Sequence, residues 1–96
     1  MKVLITYDVS TVTSKGRKRL RKIAKACENY GIRVQLSVFE CVLSPDQWIF
    51  LKNELLNLYN KEEDSLRFYL LGSKWHAKIE HYGAKKPIDI EESLIY

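Results

Sequence analysis

Residues 33–43 read RVQLSVFECVL, and the way this stretch divides decides the fold. It is rich in β-branched and aromatic side chains and holds no Gly, Pro, Asn or Asp, so its plainest reading is one continuous strand. On such a strand Val34, Leu36 and Val38 share one face, suited to a helix-covered core, and Arg33, Gln35, Ser37 and Phe39 share the other. The second set mixes polar groups with an aromatic ring, which suits a face that meets another subunit or a ligand. The alternative is a hairpin whose two strands meet at an irregular kink near Ser37 and Val38. With no Gly, Pro, Asn or Asp in the stretch, the sequence does not decide between them.

Upstream, Val3 to Val9 alternates in the manner of a strand and runs into the turn-forming Asp-Val-Ser-Thr of residues 8–11. Ser14 then stands where a helix cap is needed. Leu20, Ile23, Ala24 and Cys27 follow helical spacing, and Gly31 supplies the left-handed residue that would end the helix. Downstream, Ser44-Pro45-Asp46-Gln47 reads as a helix start, with Ser44 as cap, Pro45 at the first helical position and Gln47 closing a capping box. Trp48, Leu51, Leu55 and Leu58 make the buried stripe of that helix. Leu66 to Leu71 is a further strand, Gly72 turns the chain, and Lys78 to Tyr82 is a short strand. The expected organisation is one domain over 1–84 and a C-terminal extended arm over 85–96, in which Leu94, Ile95 and Tyr96 would add an edge strand at a dimer interface. The order predicts an α/β sandwich of the α+β kind: a mainly antiparallel sheet with two helices on one face and the other face open. A chain of 96 residues with 46% hydrophobic content builds a thin core, so a homodimer formed through the open face is expected to supply further burial.

The net charge of +4 is unevenly spread. Lys15 to Lys25 (KGRKRLRKIAK) carries seven basic residues and no acid, which leaves the rest of the chain at −3. Lys15, Lys18, Lys22 and Lys25 fall on the outer face of the predicted helix, with Arg17 and Arg19 at the borders of its buried face. Such crowding of like charge is costly without a counter-charge, and phosphate backbones are the polyanion a patch of this kind meets. Contacts of this type are to phosphate, so they carry little sequence information and weaken with salt. No apolar run approaches the roughly 18 residues of a membrane span, and Asp8 comes too early for a signal-peptide core. A cytoplasmic placement without membrane contact is expected. Cys27 and Cys41 are neither paired closely nor numerous, and read as small buried hydrophobes.

Several chemistries drop out. The four glycines lie too far apart for a nucleotide-binding loop, and His76 and His81 have poor spacing for a shared face and no cysteine nearby to complete a zinc set. Asp8 stands apart as the only carboxylate in the first 27 residues, at the carboxyl end of the first strand and just before the basic helix. From position alone an Asx-turn role is the plainer reading. The functional reading is a ligand for Mg²⁺ (or Mn²⁺), which takes one or two carboxylates together with water and substrate phosphates; a second copy of Asp8 from a dimer mate would complete it. Tyr7 and Phe39 offer rings for base stacking, although an aromatic on a sheet is more often core or interface.

The opening VLITYDVST, the basic helix ending KACENYG, then RVQLSVFEC, and later DSLRFYLLG with IEHYGA, closely resemble the Cas-two family, the small CRISPR-associated proteins of spacer acquisition. The resemblance covers nearly the whole chain. It implies a ferredoxin-like fold, a homodimer through the open sheet faces, and a nuclease site at the dimer axis. Asp8 matches the family's metal-binding aspartate and would be the catalytic residue. Arg17 and Arg19 match helix arginines, Arg33 the arginine opening the next strand, and Phe39 the aromatic of the Ser-Val-Phe motif. With Arg21 and Lys22 these basic residues form the expected nucleic-acid-binding set, supported by Tyr7, Ser10, Ser37 and Phe39. The family implies Mg²⁺-dependent cleavage of RNA or duplex DNA, and also a non-catalytic place at the centre of an integrase complex with the larger Cas-one protein. A ferredoxin-like RNA-binding module is the reading outside CRISPR. The fold so implied requires the hairpin inside 33–43.

Overall fold

A computed structural model describes residues 1–72 and 77–84. Along the chain run β1 (Lys2–Asp8), α1 (Ser14–Glu28), β2 (Gly31–Gln35), β3 (Val38–Val42), α2 (Pro45–Leu58), β4 (Ser65–Leu71) and β5 (Ala77–Gly83). The strands form one antiparallel sheet in the order β2-β3-β1-β4-β5. The first four strands with the two helices make the ferredoxin-like βαββαβ arrangement, and β5 extends it beside β4. The arm over 85–96, and His76, lie outside the described residues.

The stretch 33–43 is a hairpin. β2 stops at Gln35, Leu36 and Ser37 make the turn, and β3 starts at Val38. The single-strand reading is corrected, and its face assignment with it: Val34 and Leu36 are 50% and 86% exposed, whereas Phe39 is fully buried. Two features let the chain reverse without a Gly, Pro, Asn or Asp. The pairing slips between Arg33 and Gln35, a bulge that sharpens the local twist. The turn is also held from outside its own sequence, because the Tyr7 N–H donates to the Ser37 carbonyl at 3.1 Å and the Tyr7 hydroxyl to the Leu36 carbonyl at 3.4 Å.

Helix α1 is capped by Thr13 rather than Ser14, its Oγ1 accepting from the Gly16 N–H at 3.1 Å. Gly31 does not end the helix in a left-handed conformation, since the one positive-φ glycine among the described residues is Gly83. Asn29 closes α1 in ordinary helical geometry. Gly31 serves a different need: a Cβ there would overlap the Sγ of Cys41 and the Glu40 carbonyl, so its absence lets β2 lie close against β3. Helix α2 forms the complete capping box of Ser44 and Gln47 with Pro45 in its first turn.

Alternation along β1 sends Val3, Ile5 and Tyr7 toward the helices, where they meet Phe39 and Cys41 of β3 and Leu66 and Phe68 of β4. Ile23, Ala26 and Cys27 of α1, with Trp48, Leu51 and Leu55 of α2, close this core. The Trp48 ring stands edge-on to Phe68, with centroids 4.9 Å apart. On the opposite face the register aligns Asp8 with Ser65, Thr6 with Val38 and Arg67, and Lys2 with Val42 and Leu71.

Candidate metal and phosphate site

Asp8 is the last residue of β1 and is exposed, on the sheet face away from the helices. Its place is fixed from both sides through the backbone. Before it, Tyr7 is tied to the hairpin turn through Ser37. Two residues after it, the Ser10 N–H donates to Oδ1 of Asp64 at 3.0 Å. Tyr7, Ser10 and Ser37 thus take part in main-chain hydrogen bonds on either side of Asp8.

Asp64 itself was not singled out by sequence reasoning, yet it organises this corner. Its side chain is fully buried and receives the Arg19 Nε at 2.8 Å, the Asn60 N–H at 2.9 Å and the Ser10 N–H. Burial alone would push its carboxyl upward; the Arg19 guanidinium and the two backbone donors outweigh that and hold it below the usual carboxylate range. Its position just before a hydrophobic strand, four residues after Asn60, is the one signal the sequence offers, and it sits in a run of acids that reads as solvated surface.

The basic residues divide by what they touch. Arg19 does not present an unengaged guanidinium to phosphate: it pairs with Asp64 and, at 2.8 Å through Nη2, with Glu63. In the structure it is an internal tie, because α1 turns it toward the buried acid. Lys15, Arg17, Lys18, Arg21, Lys22 and Lys25 are all exposed, and α1 has no acid in its first turn. Arg17 donates from Nη1 to the Thr11 carbonyl at 3.1 Å, bracing the loop between β1 and α1. Arg33 lies in register with Phe39, on the helix side of the sheet. Its guanidinium sits 5.1 Å from the Phe39 ring centroid and 3.4 Å from Glu28. Within one chain, then, Asp8 and Arg33 are on opposite faces.

Phe39 and Tyr7 are core residues, with rings stacked at a centroid distance of 6.2 Å. Base stacking on them is corrected for the same reason that overturned the single strand: the hairpin turns Phe39 inward. Burial pushes the Tyr7 hydroxyl up, against the opposing pull of Arg33. His81 accepts from the Arg67 Nε at 3.4 Å on the face that carries Asp8. Among the described residues no group of three or more His, Cys, Asp or Glu side chains could hold a metal ion. No helix of the described residues is long and apolar enough to cross a membrane.

A ferredoxin-like sheet that ends an exposed aspartate beside a strongly basic helix defines a small α+β protein suited to phosphate-bearing ligands. The family model described as CRISPR associated protein Cas2 matches residues 1–79, and the chain belongs to that family, the Cas-two family of the resemblance above. A CRISPR-associated endoribonuclease Cas2 of Chlorobaculum tepidum is 59% identical over 95 residues, covering 99% of both chains. A CRISPR-associated endonuclease Cas2 of Halalkalibacterium halodurans is 57% identical over 96 residues, covering 100% of both. The crystal structure of Streptococcus pyogenes Cas2 at pH 6.5 is similar with a TM-score of 0.70 and 53% identity, covering 78% of this chain and 90% of that one. A hypothetical protein of Thermus thermophilus shares the fold, with a TM-score of 0.58 at 24% identity, over 93% of this chain and 87% of that one.

Proposed function

We propose that the chain is an endonuclease of CRISPR spacer acquisition that cleaves phosphodiester bonds of double-stranded DNA or RNA in the cytoplasm. It works as a homodimer in which Asp8 of both subunits holds Mg²⁺ or Mn²⁺. The observation that carries this reading is the exposed Asp8, pinned on both sides at the end of β1 and followed directly by a helix with six exposed basic residues. The names of the relatives, endonuclease in one case and endoribonuclease in another, support the reaction class, and the second supports RNA as a substrate.

The donor chemistry fits the ion. One hard carboxylate oxygen site per subunit suits a cation that keeps most of its waters and shares the rest of its shell with phosphate. When bound, the ion supplies Lewis-acid activation of the phosphoryl group and of water. The chain's own residues do the rest. Arg17, Arg21 and Lys22, with the lysines of α1, hold phosphates; Ser37 and Ser10 fix the backbone that carries Asp8. Ile32 and Val42, 75% and 74% exposed on the face away from the helices, are apolar surface that pairing of two sheets would bury.

A second reading is favoured by the same helix. Six exposed bases are enough to grip a duplex without cutting it, as a non-catalytic scaffold for the Cas-one integrase would require. The RNA-module reading loses support, because both expected stacking rings are buried. Purified protein incubated with RNA, single-stranded DNA and duplex DNA, with Mg²⁺ or with chelator, tests the proposal. Mg²⁺-dependent cleavage is expected; tight duplex binding with no cleavage of any substrate leaves the scaffold reading in its place.

A further inference from the structure

We propose that Asp64 is the positioning residue of the Asp8 site: its buried carboxylate clamps the loop after Asp8 onto α1 and so sets where Asp8 stands relative to the basic helix. This rests on reading Asp8 as the acid of the cleavage site.

The two oxygens of Asp64 collect donors from three parts of the chain. Oδ1 takes the Ser10 N–H at 3.0 Å and Nη2 of Arg19 at 3.4 Å; Oδ2 takes Nε of Arg19 at 2.8 Å and the Asn60 N–H at 2.9 Å. The loop, the first helix and the segment after α2 therefore meet on one carboxylate. Its main chain adds a fourth tie, since the Asp64 carbonyl accepts from the Ala84 N–H at 3.0 Å, just past β5. The next residue, Ser65, is the one in register with Asp8. The clamp thus spans from the residue beside Asp8's partner, across β1, to the loop two residues beyond Asp8.

The loop is gripped from its other side as well. A Cβ on Gly16 would overlap the Ser10 carbonyl, so the first turn of α1 lies flat against the same residue whose N–H Asp64 holds. Ser10 is contacted from both directions. Arg19 ties Asp64 to α1, and the bond to Ser10 is the one that reaches the loop after Asp8. Small displacements of a reacting group are costly, on the order of a hundredfold in rate for about 1 Å.

Asp64→Asn keeps the volume but replaces one acceptor oxygen with a donor, so Ser10, Asn60 and Arg19 can no longer all be satisfied. In the full-length protein, amide exchange at Ser10 to Thr13 should quicken by about tenfold or more while β1 and β4 amides change little. For a duplex with Mg²⁺, kcat should fall by about tenfold or more with KM within roughly threefold, because the exposed bases still capture substrate. Gly16→Ala collides with the Ser10 carbonyl, while its Cβ meets Nη2 of Arg19 only at an ordinary contact of 3.5 Å; it should give the same two effects, which keeps the test decisive if Asp64→Asn fails to fold. Glu63→Gln, which loosens only the exposed half of the Arg19 pairing, should leave both readouts near wild type. Unchanged loop exchange in a folded variant, or faster exchange with unchanged kcat, overturns the proposal. If the wild-type protein cleaves nothing, the nuclease reading falls, and the exchange data alone decide the clamp.

Discussion

Nε of Arg19 lies 2.8 Å from Oδ2 of Asp64, joining α1 to the start of β4 across 45 residues of sequence. The acid is fully buried and the arginine mostly so, and removal of one partner leaves an uncompensated charge in the interior. Arg19→Ala is expected to lower Tm clearly, by roughly 10 °C or more. Arg17→Ala, on an exposed side chain, should cost less than about 1 kcal/mol. Thermal unfolding of the two variants checks the contrast.

The same pair sets an acid limit. Arg19 and the backbone donors hold the folded Asp64 carboxyl below its ordinary range despite burial, so the stability it contributes is full above the unfolded value of about 3.9 and is lost as pH falls through the lower folded value. The Tm gap between wild type and Asp64→Asn should therefore be constant near neutrality and narrow below about pH 4. A pH series of thermal melts reads it directly.

The cap of α1 offers a sharper contrast between sequence and structure. Thr13 Oγ1 accepts the Gly16 N–H, so Thr13→Ala should cost about 1 kcal/mol, whereas Ser14→Ala should cost less than about 0.5 kcal/mol. Urea unfolding distinguishes the two positions, which adjacent hydroxyls in the sequence do not.

How much of this was legible follows from where the determining contacts lie. Local signals carried well: the Ser44–Gln47 box formed as read, and the helical stripes through Ile23 and Cys27, and through Trp48, Leu51 and Leu55, are core. What failed was set by distant partners. The turn at Leu36 and Ser37 exists because Tyr7 holds it, and no residue inside 33–43 announces that. Its consequence turned Phe39 from a surface ring into a fully buried part of the core. Arg19 looked like its basic neighbours until Asp64, far along the chain, claimed it. Asp8 and the exposed bases were legible because a strand end and an outer helix face are local facts.

The outer face of α1 should govern duplex affinity. Reversing Arg21 and Lys22 to Glu is expected to weaken duplex binding by at least about tenfold near 100 mM salt and to lower the slope of log K against log salt by about 2. Fluorescence anisotropy over a salt series measures both. A duplex affinity unmoved by these changes would mean that the nucleic acid lies elsewhere.

The cysteines should be inert. Burial pushes the Cys27 thiol up to about 12 and the Cys41 thiol up to about 11, so neither holds appreciable thiolate near neutrality. Intact-mass analysis after iodoacetamide at pH 8 should show no addition to the native protein and two additions in denaturant.

The most direct test of the central claim is the Mg²⁺-dependent cleavage rate of purified Asp8→Asn beside wild type, with folding and oligomeric state matched between the two. Asp8 is exposed at a strand end and outside the core, so the substitution should leave Tm within a few degrees. The account predicts that cleavage falls by about a hundredfold or more while duplex binding is kept. Cleavage by Asp8→Asn at the wild-type rate would contradict it.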